Sequence, residues 1–326
     1  MKVDMNNIDQ LSLDSKEWDH LAQALDKHPH YKVLKRLAPE RWLDKERSPR
    51  GSASTLKGVI LDTETTGMNA LTDKVIELGM VVFEYDPQLG QITHVSQVFD
   101  ELEDPGFPIP AETTAIHHIT DEMVKGHRIK DQEVMEALKG VSLVIAHNAA
   151  FDRPFVENRW PVFAELPWAC SIKDIDWRVN SFGSAKLEYL AMTQGIFYEA
   201  HRAETDCWAL LEVLNMVLPK TQQSAIQTLF ESSAQMQSKV YAIGSPYETK
   251  DILKARAYRW SAEIKCWSKT VGSSEKLKEE LLWLKHNVYG PRKGAKVEIE
   301  SLSALERHSE RGGKKHLQDL SALTES

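Results

Sequence analysis

At 326 residues, 42% hydrophobic and 27% charged, the chain has the composition of an ordinary globular protein with room for one full core and a second, smaller unit. Cys170, Cys207 and Cys266 lie far apart with no CxxC spacing, which argues against a disulfide frame or cysteine zinc site, and no apolar run approaches the ~18 residues of a membrane span, so a cytoplasmic protein is expected. The net charge of −8 weighs only weakly against a nucleic-acid partner, because a carboxylate metal site adds negative charge that bound cations cancel.

Residues 14–46 read as helix: Trp18, Leu21 and Leu25 fall at i, i+3 and i+7, and Tyr31, Leu34 and Leu37 continue the spacing after Pro29. With the Ser/Gly-containing linker 47–54, this makes 1–55 a helical N-terminal extension. A compact domain over 56–220 follows. Its expected strands are 58–62, 74–83 and 91–99, joined by short turns as an antiparallel meander. Helices at 111–118 and 131–139 precede an apolar strand at 141–146, and helices near 153–159, 185–194 and 203–217 complete an α/β arrangement. A mixed sheet covered by helices is the expectation. Residues 221–237 read as one more helix.

From Lys239 a small α+β unit is expected, with strands at 240–243 and 264–271 and helices at 247–257 and 275–287. The domain boundaries are thus 221–290 for a helix plus this module and 291–326 for a polar, mobile tail. Between Lys239 and Lys296 thirteen basic residues face six acidic ones, with aromatics interleaved, a pattern suited to a single-stranded nucleic-acid contact through Arg256, Arg259, Trp260, Lys265 and Trp267. The competing reading is a tryptophan-rich core under a solvated lysine surface.

The chemistry concentrates at four places. Residues two apart on a strand share a face, so Asp62 and Glu64, behind the apolar run 58–61, present two carboxylates side by side, a pairing tolerated mainly around a cation. Asp152 follows the strand 141–146, where ligand sites form in α/β folds, although it could equally cap a helix starting near Pro154. Asp206 precedes Leu210 by four, sharing the buried side marked by Leu210, Leu211, Leu214 and Val217, and His201 stands just before that helix. Four acids could hold two Mg²⁺ or Mn²⁺ ions about 3.5–4 Å apart around a phosphodiester, and a neutral histidine could take a proton from the attacking water.

The segments 61–68 (Leu-Asp-Thr-Glu-Thr-Thr-Gly-Met), 115–123 (Ala-Ile-His-His-Ile-Thr-Asp-Glu-Met), 146–152 (Ala-His-Asn-Ala-Ala-Phe-Asp) and 201–206 (His-Arg-Ala-Glu-Thr-Asp) together resemble the DnaQ-like 3′–5′ exonucleases of the DEDDh branch, over about 56–220. The resemblance implies a ribonuclease H-like fold, with Asp62, Glu64, Asp152 and Asp206 as ligands of two metal ions and His201 as general base. It further implies that Thr65 and Thr66 hold the terminal nucleotide, that His117 or His118 lies near the last base, and that Asn148 belongs to the substrate site. DNA is favoured over RNA as substrate, and a DNA polymerase or repair complex is a possible partner. The alternatives are an RNA-trimming exonuclease of the same fold and a non-catalytic nucleic-acid or polymerase-binding module.

Overall fold

The computed structural model describes residues 15–43, 55–292 and 294–323. The expected linker 47–54 lies outside them. The helices used below are α1 (Ser15–Asp26), α2 (Ala111–His117), α3 (Asp131–Ala137), α4 (Ala149–Arg159), α5 (Leu187–Thr193), α6 (Ala203–Leu214), α7 (Ala225–Ser233), α8 (Lys250–Ala255) and α9 (Ser274–Leu284). No helix among the described residues is long and apolar enough to cross a membrane.

Five strands form the first sheet: β1 (Leu56–Thr65), β2 (Val75–Asp86), β3 (Gln91–Leu102), β4 (Val141–Ala146) and β5 (Trp168–Cys170), in the order β3-β2-β1-β4-β5. β1, β2 and β3 pair antiparallel, as the short turns between them require, whereas β4 and β5 run parallel to β1 after helical crossovers. Nine consecutive residues of β2, Val75–Phe83, are buried, which marks a strand covered on both faces. Side-chain alternation sends Val59 and Leu61 to a core with Val134, Phe155 and Val156 of α3 and α4, and Ile60 to a core with α5, α6 and α7. This is the ribonuclease H-like mixed sheet flanked by helices. Each fully buried Leu, Ile or Phe in these layers contributes about 1.5–3 kcal/mol.

The N-terminal extension is not one helix over 14–46. α1 stops at Asp26, because Pro29 cannot continue the ladder and disfavours helical backbone before it. Lys35–Arg36 instead pairs parallel with Ile196–Phe197. Trp42 is buried and donates from Nε1 to Glu212 Oε1 at 2.8 Å. Trp18, Leu21 and Leu25 remain roughly half-exposed. Val217, expected on the buried side of α6, is exposed because the helix ends at Leu214.

The second sheet corrects the expected tail. Residues 296–302 and 314–319 are strands of one antiparallel sheet made of β6 (Gln237–Tyr241), β7 (Arg259–Ser261), β8 (Cys266–Val271), β9 (Lys296–Leu302) and β10 (Lys314–Asp319), ordered β10-β9-β6-β8-β7. In β9, Val297 and Ile299 point into the core against Leu281 and Leu284 of α9, and Glu298 and Glu300 point away. The loop after β9 grips the first sheet. Trp168 N donates to Ala304 O at 2.8 Å, extending the edge beyond β5. The fully buried Arg153 guanidinium donates to the carbonyls of Ala304, Leu305 and Arg307.

Candidate active site

β1 delivers the first two acids. Its residues 58–61 are buried, and alternation then turns Asp62 and Glu64 to the α6 side, like Ile60. Gly79 of β2 lies opposite Asp62 in the ladder. A Cβ there would fall 2.4 Å from the carbonyl carbon of Ala203 and from Glu204 N, so glycine is what lets the start of α6 ride directly on the strand. That close approach brings Asp206 to the pair: Asp62, Glu64 and Asp206 each offer an oxygen, all within 4.8 Å of one another.

Asp152 reaches the same pocket from α4. The helix begins at Ala149, so Asp152 sits inside the first turn and is not a cap for a helix starting near Pro154. Its Oδ1 accepts from Thr63 N at 3.1 Å and from Thr63 Oγ1 at 2.9 Å. Asp206 Oδ1 accepts from Tyr198 Oη at 3.1 Å and its Oδ2 from His201 N at 2.8 Å. His201 takes a left-handed backbone, φ 68°, and lines the pocket.

No lysine or arginine among the described residues pairs with any of the four acids. Burial first, and then the charges of Asp152, Asp206 and Glu64, push Asp62 well above the usual carboxylate range. Glu64 is raised to about 8 by burial and by Asp206. Burial raises Asp152 to about 7 against the pull of its bonds from Thr63, and raises Asp206 against those from His201 N and Tyr198. Crowded oxygens of this kind are the donor set of a hard divalent cation.

Other expected contacts fall out differently. Thr65 Oγ1 donates to Gly67 O at 2.6 Å and Thr66 Oγ1 accepts from Lys74 N at 3.0 Å, so both hydroxyls are used within the β1–β2 turn. His117 is buried, with Nδ1 accepting from Ile119 N at 3.0 Å, and burial lowers its pKa; His118 is the left-handed C-cap of α2. Asn148, also left-handed (φ 78°), does line the pocket. Of the C-terminal candidates, Arg256 pairs with Glu279 and Glu280 and lies over Trp283, while Trp267 packs on the module's core with Trp260 against it, ring centroids 5.7 Å apart. Trp267 thus fits the competing tryptophan-core reading, whereas Trp260 stays half-exposed. Arg259 and Lys265 are exposed.

Several pocket residues escaped the sequence reading. Tyr198, Thr63, Phe151 and Lys186 carry no periodic signal of their own. Glu77 is wholly buried; its Oε1 accepts from Arg202 Nε and Nη2 at 2.9 and 2.6 Å, and its Oε2 from Ala203 N at 3.0 Å, which pins the start of α6. A glutamate inside the apolar run of β2 was the available clue.

Comparison with known proteins follows this geometry. Residues 59–214 match the family model RNase_T, described as exonuclease. Over 167 residues the chain is 31% identical to the DNA polymerase III subunit epsilon of Treponema pallidum, covering 48% of this chain and 74% of that protein. The chain belongs to the DnaQ-like exonuclease family. It is also 36% identical over 112 residues to a PolC-type DNA polymerase III of Lacticaseibacillus paracasei, a match that covers 34% of this exonuclease-family chain and only 7% of that polymerase. Among solved structures, exonuclease X in complex with 5′ overhanging duplex DNA is similar at 26% identity and TM-score 0.37, over 52% of this chain and 98% of that one. E. coli exonuclease I in complex with a dA16 oligonucleotide is similar at 15% identity and TM-score 0.46, over 67% and 63%.

Proposed function

We propose that the protein is a cytoplasmic, divalent-metal-dependent 3′–5′ exonuclease of the DEDDh type that releases nucleoside monophosphates from DNA ends, alone or with a polymerase or repair complex. One observation carries the reading: Asp62, Glu64 and Asp206 converge with no ion-paired lysine or arginine among the described residues, and Asp152 and His201 line the same pocket. These four acids fit two Mg²⁺ or Mn²⁺ ions. When bound, such ions supply Lewis acidity toward a phosphodiester and neutralise charge developing on its oxygens. The chain's own groups do the rest. Thr63 holds Asp152 from two donors, and Tyr198 with His201 N fixes both oxygens of Asp206, so the ligand oxygens are set before anything binds. The His201 ring takes the proton of the attacking water, a role supported by the residue's place on the same pocket. Phe151 and Asn148 on one wall and Lys186 on another meet the terminal nucleotide.

The test is degradation of 5′-end-labelled single- and double-stranded DNA and RNA, with and without Mn²⁺. The expected result is stepwise shortening from the 3′ end of DNA only when metal is present. Shortening confined to RNA would favour the RNA-trimming alternative. Absence of metal-dependent cleavage on every substrate would leave a non-catalytic nucleic-acid or polymerase-binding module.

A further inference from the structure

The second sheet is two-sided. Register pairs Lys239 with Thr270 and Glu300 across the ladder, and alternation sends Val240, Val271 and Ile299 into the core under α9. The opposite face presents Lys239, Tyr241, Ser268, Thr270, Glu300 and Lys315. It forms one wall of a cleft of about 1290 Å³ whose other wall is the segment 172–178 with 182–185 of the exonuclease unit. That volume exceeds the ~300–1,000 Å³ of ordinary small-molecule sites. Ile172, Ser184 and Ala185 line both this cleft and the pocket of Asp62 and Asp206, so the two adjoin.

Charge gives the cleft a direction. Three of its acids are already engaged: Asp174 with Arg307 and His308, Glu300 with the Tyr241 hydroxyl and Gly313 N, and Glu306 with Ser303. Lys173, Arg178, Lys239 and Lys276 form no ion pair with a described residue, and they come from both walls. The Lys239 and Lys315 ammonium groups lie 5.1 and 4.7 Å from the Tyr241 ring centroid. Against these cations stand the exposed acids Asp176, Glu263 and Glu310. The bonds from Arg153 and Arg307 across the two sheets fix the walls relative to each other, so the cleft is formed before a ligand arrives.

We propose that this cleft is the track of a single strand of nucleic acid upstream of the 3′ end being cleaved, its phosphates carried by Lys239 on the sheet wall, with Lys315 beside it in its pair with Glu298, by Lys276 in the first turn of α9, and by Lys173 and Arg178 on the other wall. The inference rests on the function proposed above: the backbone leading away from a 3′ end seated among the four acids would pass Ile172, Ser184 and Ala185 into the adjoining cleft. The C-terminal unit would therefore contribute to binding through Lys239 on its open sheet face and Lys276 at the start of α9.

The experiment uses the full chain in EDTA, where cleavage is off, and fluorescence anisotropy of a labelled oligothymidylate of about 16 nucleotides. Lys239→Glu with Lys276→Glu should raise Kd by about 10-fold and flatten the salt dependence, because fewer counterions are released on binding. Lys239→Arg with Lys276→Arg should bind like the wild type. Lys139→Glu, outside the cleft, should also bind normally. Unchanged Kd and salt slope in the charge-reversed variant, with a wild-type melting curve, would overturn the track, as would equal loss in the arginine variant. Cleavage by the wild type in Mn²⁺ is scored separately. Strand binding that depends on these lysines without any cleavage would sink the nuclease reading and leave the track standing; cleavage with lysine-independent binding would do the reverse.

Discussion

Two groups of buried acids in this protein have opposite surroundings. Asp174 and Glu157, at the junction of the two sheets, are answered by bases: Asp174 by Arg307 at 3.5 Å and His308 at 3.0 Å, Glu157 by Arg153 at 2.6 Å and Arg311 at 3.1 Å. Burial pushes both upward, but these partners win and hold both below the usual carboxylate range. Asp152 is buried and Asp62, Glu64 and Asp206 part-buried with no such answer among the described residues, and all are raised. The chain supplies counter-charge where an acid serves the fold. Where it supplies none, the partner comes from outside, which is the physical content of a metal site.

The largest effect should come from removing one unanswered acid. Asp62→Asn should reduce metal-dependent strand cleavage by about 10³-fold or more, since one ligand oxygen and its charge are lost from the centre. Unlike most changes of a buried residue, it should not lower the melting temperature measured in EDTA, because it relieves repulsion from Asp152, Asp206 and Glu64. The upward shift that Mn²⁺ gives the wild type should vanish. A variant less stable than wild type without metal would mean that Asp62 has a partner in the fold, and the comparison would fail.

His201→Ala should lower turnover by roughly 10²–10⁴ and leave the Mn²⁺-induced shift in place. Its backbone N–H, not its ring, bonds Asp206, so the ligand set survives the truncation. Loss of Mn²⁺ binding by titration calorimetry would instead make the ring a ligand.

The answered cluster should behave in the opposite way. Arg153→Met leaves Glu157 with Arg311 and Ser309 and takes a donor from three carbonyls: those of Ala304 and Leu305 keep Trp168 N and Arg311, while the buried Arg307 carbonyl loses its charged partner. Breaking such a pair is expected to cost about 3–5 kcal/mol, read as a lower denaturant midpoint. Turnover per folded molecule on a short oligonucleotide should stay within a few-fold, since Arg153 touches none of the four acids. A stable but inactive variant would tie the junction to the chemistry and erase the distinction.

The contrast also explains what could be read from the chain and what could not. The four acids were legible because each sits at the edge of an apolar run, at a strand end or in a first helical turn, where local pattern and chemistry coincide. β1, β2 and β3 were legible for the same reason, although each runs two or more residues past the expected end, where pairing continues beyond the apolar stretch. β5 was missed because three residues carry no period. Val297-Glu298-Ile299-Glu300 does alternate, but its polar, glycine-containing surroundings read as a tail, and a strand bearing charge on its open face depends on neighbours for its assignment. The junction was invisible: Arg153 meets carbonyls about 150 positions away, and no local pattern announces such a pairing. The same distance hid the cleft. Of its cations only Lys239 and Lys276 were counted in the basic excess between Lys239 and Lys296, and which of these face the cleft needs the register and the helix packing.

The smallest effect concerns a third kind of buried group, one kept neutral and thus needing no counter-charge. His147 lines the active pocket and its Nδ1 lies 2.7 Å from Ser171 Oγ; burial lowers its pKa to about 4. The unfolded chain, with an ordinary value near 6.5, binds more protons between those limits than the folded one does. Stability from this group is therefore full above about pH 6.5 and is lost as pH falls toward 4, by on the order of 2 kcal/mol. His147→Gln keeps a polar partner for Ser171 and cannot titrate. Subtracting the variant's stability from the wild type's, by urea midpoints from pH 4 to 7, should give a difference that grows more negative toward acid. A flat difference would show that His147 charges as easily in the fold as out of it, which requires an acid or carbonyl close enough to answer it and moves it into the first group.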